Sequence, residues 1–136
     1  MRVAATIPNL RTISEFVRDA GRSLGLTEDT LFDIDIAVEE ASANIVHHAY
    51  APGQPGDILL RIETADDVVR ITLTDWGRPF DAGKVKPFDL NAPIEVRAHG
   101  GMGLHLMHSS LDDVVRSSSS ATGVPNVLTL SKKMER

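Results

Sequence analysis

The stretch Ile58-Leu59-Leu60-Arg61-Ile62-Glu63-Thr64-Ala65-Asp66-Asp67-Val68-Val69-Arg70-Ile71-Thr72-Leu73-Thr74-Asp75 decides the fold. Ile58, Leu60 and Ile62 alternate with Leu59, Arg61 and Glu63, and after a short polar connection Val69, Ile71 and Leu73 alternate with Arg70, Thr72 and Thr74. A period of two on both sides of a tight turn predicts an antiparallel hairpin. Upstream, the period changes. Leu31, Ile34, Val38, Ala41, Ile45 and Ala49 recur at three-and-four spacing, which predicts a long amphipathic helix. Thr27 is placed to cap it, Glu28 and Asp29 sit where the helix dipole favours anions, and the breaker run 51–56 ends it. A first helix is expected over about 10–24, with Asn9 as its cap and Gly25 as its stop, preceded by an opening strand over 3–7.

Downstream, residues 77–103 lose periodicity and carry Pro79, Pro87 and Pro93 with five glycines, at 77, 83, 100, 101 and 103. A loop of that length in a small domain is more often functional than idle. A third helix is expected over about 103–112, with Leu104, Met107 and Leu111 inward, and Val114-Val115 and residues 127–130 read as two closing strands around a Ser-rich turn. The order predicts an α+β two-layer sandwich: a mixed, largely antiparallel sheet of about five strands with three helices on one face. With 136 residues and no internal repeat, the expectation is a single domain over 1–136.

Composition excludes several function classes. The chain is 42% hydrophobic and 24% charged, within the range of folded domains, and 14 basic against 19 acidic residues leave a net charge of −5. That sign disfavours direct binding to nucleic acid or to an anionic membrane. No cysteine occurs, so thiol catalysis, disulfides and Cys-ligated zinc are excluded. No apolar run approaches the length of a membrane span, and residues 1–8 lack the pattern of a signal peptide, so a cytoplasmic location is expected.

Three segments carry candidate chemistry. In the second helix, Glu40 and Asn44 are four residues apart on one face beside the apolar stripe, while Glu39 is turned toward solvent. An amide oxygen suits a hard cation such as Mg²⁺, and a carboxylate one turn away can take a hydroxyl proton; a solvated Glu–Asn pair is the plainer alternative. In Asp75-Trp76-Gly77-Arg78-Pro79-Phe80-Asp81, an acid at a strand end can accept from an exocyclic amine, and the glycine would let a flat ligand approach. The alternative is a simple turn in which Gly77 supplies unusual dihedrals. Finally, Gly100-Gly101-Met102-Gly103-Leu104 leads into the third helix, where backbone N–H groups and the helix dipole suit phosphate. It matches neither a Walker loop nor a Rossmann fingerprint.

In combination and in this order, these segments resemble the N, G1 and G2 boxes of the GHKL ATPase/kinase superfamily, essentially end to end. The runs Val38-Glu39-Glu40-Ala41-Ser42-Ala43-Asn44-Ile45-Val46-His47-His48-Ala49-Tyr50 and Gly101-Met102-Gly103-Leu104-His105-Leu106-Met107, with the segment 75–81, look like the anti-sigma-factor serine kinases of bacterial partner-switching systems. The resemblance implies a Bergerat ATP-binding fold with an ATP lid over about 78–102. It implies that Asn44 coordinates Mg²⁺ on the phosphates and that Glu40 is the general base toward a partner's serine or threonine. Asp75 would read the adenine amino group, with Gly77 at the ring edge and Phe80 nearby; Gly100, Gly101, Met102, Gly103 and Leu104 would close over the phosphates. His48 would line the site near the phosphates, and Thr129 would neighbour the adenine.

The implied activity is that of an ATP-dependent serine/threonine protein kinase that also acts as an anti-sigma factor. Its implied partners are a sigma factor and an anti-anti-sigma protein of the STAS-domain type, and it is expected to form a homodimer. Two alternatives stay open: a nucleotide-dependent binding module without turnover, and a stand-alone histidine-kinase-type ATPase domain. Zinc is not expected, because His105 and His108, though three apart, come with no His-Glu-x-x-His pattern or further ligands. Arg78 and Arg97 flank the lid, and for them, as for Lys84 and Lys86, a surface position is the default.

Overall fold

A computed structural model describes residues 1–54, 56–78, 111–117 and 124–134. Strand β1 (Arg2–Ala4) is followed by helices α1 (Ile7–Ser23) and α2 (Glu28–Asn44). A single π-helical turn, Ile45–Ala49, continues α2. Strands β2 (Asp57–Ala65), β3 (Val68–Asp75), β4 (Asp113–Ser117) and β5 (Asn126–Lys133) complete the described elements.

The hairpin forms as its alternation predicts. Leu60 faces Leu73, Ile62 faces Ile71, and Ala65 faces Val68, so the turn is the two residues Asp66 and Asp67. Both have positive φ, +50° and +63°, the geometry of a type I′ turn whose twist matches the strands; aspartate tolerates it. The sheet order is β1-β2-β3-β5-β4. All four ladders are antiparallel, so among the described residues the sheet has no parallel pair where a mixed one was expected.

Both helices cover one face. Ile58, Leu60, Ile71, Leu73 and Leu130 are buried there against Ile13 and Val17 of α1 and Leu31, Ile34, Val38 and Ala41 of α2. Leu59 and Val115, one residue out of phase, are exposed on the other face. Every member of the expected α2 stripe from Leu31 to Ala49 is buried. Thr27 caps α2 as expected, its hydroxyl accepting from Thr30 N–H at 3.2 Å.

Helix α1 starts three residues earlier than expected. Its N-cap is Thr6 and Pro8 lies in the first turn, where the missing N–H costs nothing. Asn9 is therefore not the cap; its amide reaches back to the Ala4 carbonyl at 2.9 Å and holds the corner between β1 and α1. The two helices are tied by Asp35, which accepts from Ser14 Oγ and Arg18 Nη2, both at 2.7 Å. That contact raises the Arg18 guanidinium above its ordinary pKa. The third helix expected over 103–112 lies outside the described residues except for Leu111 and Asp112, which are not helical and lead into β4.

Candidate functional site

Where α2 ends, the sheet ends too. A cavity lies there, lined by Ala41, Asn44, Ile45 and Ala49 of the helix and Asp75, Arg78, Arg116, Asn126 and Leu128 from the sheet side. The walls are mostly apolar with a few polar groups, the composition of a small-molecule site. Asn44 and Asp75, assigned from separate motifs, share this space.

The polar groups are placed by strand register and by the helix end. Asp75 is the last residue of β3 and sits opposite Asn126 at the start of β5. Alternation turns Asp75 toward the helix layer with Leu73 and Ile71, where it is 6% exposed. Its Oδ1 accepts from Gly77 N–H and from Asn126 Nδ2, each at 2.9 Å. Asn126 Nδ2 also donates to the Gly77 carbonyl at 3.0 Å.

The turn after Asp75 is pressed onto the π-helical turn. Arg78 N–H donates to the Ala49 carbonyl at 2.6 Å, and Arg78 Nη2 donates to the His48 carbonyl at 3.1 Å. A helix end leaves such carbonyls without intrahelical donors and favours a cation, and Arg78 supplies both needs. This contact explains Gly77. A Cβ there would stand 2.2 Å from the Ala49 carbonyl oxygen. Its φ is not positive, so it is close backbone approach that requires the glycine, and not unusual dihedrals.

Tyr50 fixes the same turn from the other side. Its hydroxyl accepts from Trp76 N–H at 2.9 Å and donates to the Asp57 carbonyl at 2.7 Å. Burial raises the phenol pKa above its ordinary value. The Trp76 ring points away from the cavity and stacks under the Arg2 guanidinium, 5.0 Å from its centroid. Arg116, on the helix-facing side of β4, lines the cavity, and desolvation lowers its pKa.

The sequence-derived residues divide into several groups. Asn44 and Asp75 line the cavity. Glu40 is half-buried one turn before Asn44 on the same helix, about 6 Å along its axis, and Glu39 is exposed as expected. Gly77 bounds the site through its carbonyl.

Two expectations need correction. The His48 ring does not line the cavity; it is exposed, with its centroid 6.3 Å from that of His47, because the π-helical turn carries its carbonyl and not its side chain toward Arg78. Thr129 faces away: Leu128 and Leu130 are buried under the helices, so Thr129 lies on the opposite face beside Thr72 and Val115. Asn126 is the residue of β5 that meets Asp75. Phe80, Gly100, Gly101, Met102, Gly103 and Leu104, with the rest of the expected lid, lie outside the described residues.

Sequence reasoning missed Asn126, Tyr50 and Arg116. The available signal was polarity at inward positions of strands: Asn126 shares the phase of Leu128 and Leu130, and Arg116 that of Val114.

The donor set can be tested against a metal. Among the described residues no group of three His, Cys, Asp or Glu could hold a metal ion. Asn44 Nδ2 is buried with no hydrogen-bond partner among them, and no described residue bonds to its carboxamide oxygen either. A single free amide suits Mg²⁺, which keeps most of its water and binds through one or two protein oxygens plus phosphates.

The fold and this cavity define an ATPase domain of the histidine-kinase type. The chain belongs to the histidine kinase-like ATPase domain family, whose profile matches residues 3–132. Among its curated relatives is the serine-protein kinase RsbW of Oceanobacillus iheyensis, 34% identical over 67% of this chain and 60% of that protein. The serine-protein kinase RsbW of Staphylococcus aureus is 31% identical, covering 100% of this chain and 89% of the relative. The chain thus spans between about three-fifths and nine-tenths of these relatives. A crystal structure of the RsbU and RsbW domains of a Mycobacterium tuberculosis protein shares the fold, with a TM-score of 0.69 at 20% identity over 100% of this chain and 32% of that one.

Proposed function

We propose that this chain is an Mg-ATP-dependent serine/threonine protein kinase that acts as an anti-sigma factor. Its substrate would be an anti-anti-sigma protein of the STAS-domain type, and it would hold a sigma factor when that antagonist is phosphorylated. The observation that carries the reading is the meeting of Asn44 and Asp75 in one mostly apolar cavity. An adenine fits between apolar walls with its 6-amino group at a carboxylate; an uncommitted carboxamide fits a hard cation at the phosphate end. The serine-protein kinase names of the relatives supply the reaction class.

Each residue then has a stated task. Asp75 accepts from the base and orients the nucleotide. Asn44 would hold Mg²⁺ through its amide oxygen; bound there, the ion would neutralise phosphate charge. Glu40, one turn before Asn44, takes the proton of the partner's serine or threonine hydroxyl as that oxygen bonds to the γ-phosphorus. The bond from the γ-phosphorus to the bridging oxygen breaks, and ADP leaves with that electron pair. Homodimerisation and a cytoplasmic location belong to the same reading; no helix among the described residues is long and apolar enough to cross a membrane.

Incubation with γ-labelled ATP, Mg²⁺ and a STAS-domain antagonist tests the proposal. Acid-stable label on a partner serine or threonine, lost in Glu40→Gln with ATP binding retained, is the expected result. Nucleotide binding with no transfer would leave a regulatory binding module, and acid-labile phosphohistidine would point to the histidine-kinase alternative.

A further inference from the structure

The last strand brings to the cavity a side chain whose hydrogen bonds fix which way it faces. Both hydrogens of the Asn126 amide nitrogen are committed, one to Asp75 Oδ1 at 2.9 Å and one to the Gly77 carbonyl at 3.0 Å. The Arg78 carbonyl lies a further 3.5 Å from the same nitrogen. Turning the amide over would set its oxygen against a carboxylate and a carbonyl at those distances, two contacts between acceptors with no hydrogen to share.

The Asn126 carboxamide oxygen is therefore fixed as an acceptor. It is buried and receives no hydrogen bond from any described residue, and the side chain, only 9% exposed, lines the cavity beside Asp75. A buried acceptor without a donor is costly and calls for an N–H from outside the protein. Asp75 presents a second acceptor. Its Oδ1 is occupied by Gly77 and Asn126, which leaves Oδ2 to the cavity. Asp75 Oδ2 and Asn126 Oδ1 are thus two acceptors, as many as the N–H groups of a primary amine on a flat ring.

We propose that Asn126 determines base specificity by accepting the second hydrogen of the adenine 6-amino group, the first going to Asp75. This rests on the nucleotide reading of the cavity and goes beyond it. The site then favours an unsubstituted amine and disfavours a purine with a carbonyl oxygen at that position, whose lone pairs would meet two acceptors.

Titration calorimetry of the full chain with ATP, N6-methyl-ATP and N6,N6-dimethyl-ATP tests this, alongside Asn126→Thr. Threonine keeps a hydroxyl that can donate to Asp75 but lacks the carbonyl acceptor. In the unmodified chain the first methyl should weaken binding roughly three- to tenfold, the effect of one hydrogen bond, and the second methyl further. In Asn126→Thr, ATP should bind roughly three- to tenfold more weakly and the first methyl should cost almost nothing. Equal affinity of the unmodified chain for ATP and N6-methyl-ATP would overturn the inference while leaving nucleotide binding intact. An unchanged ratio in Asn126→Thr would overturn it as well, and absence of any ATP binding would overturn the nucleotide reading itself. Should Asn126→Thr melt too low to titrate, Asn126→Ser takes its place, and the series on the unmodified chain decides without either.

Discussion

Gly77→Ala tests the packing of the site against the helix end. The added Cβ would lie 2.2 Å from the Ala49 carbonyl oxygen, 2.5 Å from its carbonyl carbon and 2.7 Å from its Cβ. Two of these are backbone atoms at the end of a packed helix, so no flexible side chain can swing aside. Overpacking of this kind costs about 1–3 kcal/mol. Moving the turn away also breaks the Arg78 N–H to Ala49 and Asn126 to Gly77 hydrogen bonds, each contributing about 1 kcal/mol. The expected loss is about 3–5 kcal/mol. With about 2.1 cal/mol/K per residue over 136 residues, the unfolding entropy is about 0.29 kcal/mol/K, and the midpoint falls by about 10–17 °C. Calorimetric melting of the variant measures it, with Gly53→Ala as control. Gly53 has φ +77° with nothing within 4 Å of a Cβ, so only backbone strain of about 1–2 kcal/mol, or about 3–7 °C, applies there. A Gly77→Ala melt within about 3 °C of the parent, or above that of the control, would show that the turn yields freely, and the account of Gly77 would fail.

Asn44→Ala should remove Mg²⁺-dependent nucleotide affinity in an ATP titration while leaving the melting curve nearly unchanged, because its amide nitrogen bonds to no described residue. Asp75→Asn should reduce discrimination between ATP and ITP more than it reduces triphosphate affinity; equal losses for both nucleotides would contradict the assignment. Tyr50→Phe leaves the Trp76 N–H and Asp57 carbonyl without their partner and should lower stability by about 1–2 kcal/mol in urea titration. Because burial raises the Tyr50 pKa in the folded state, its stabilisation is complete below the unfolded value near 10 and lost as pH rises through the folded one. The parent should therefore lose stability more steeply than Tyr50→Phe above about pH 10.

Elements whose signal is local were legible in the sequence. The α2 stripe, the Thr27 cap and the hairpin with its Asp66-Asp67 turn each depend on residues within a few positions of one another. The start of α1 was obscured because Pro8 reads equally as the end of a strand and as a first-turn residue; the choice rests on Ala5 N–H pairing with the distant Gly56 carbonyl. Of the residues that line the cavity, Asn44 and Asp75 were singled out in the sequence because each sits at the end of a strongly patterned element. Asn126 was not. Its pairing with Asp75 spans 51 residues, and the closing strand reads as 127–130 with or without it. Thr129 drew the assignment by resemblance, but strand parity, fixed by buried Leu128 and Leu130, turns it to the other face. The exposed His48 ring follows from the π-helical turn, which no periodicity count distinguishes from a last turn of α-helix.

That wide turn makes the chain tolerant of shortening at one place. Removing any one residue between Ile45 and Ala49 would restore ordinary helical winding, and since a π-turn takes up about one residue more than an α-turn, the carbonyls that follow would keep nearly their direction. The last carbonyl of the helix would then still face the Arg78 N–H, with the hydrophobic stripe above it in phase. Deleting a residue from α2 itself, with no wide turn to absorb it, would instead swing everything beyond it by about 100° and carry the helix end away from Arg78.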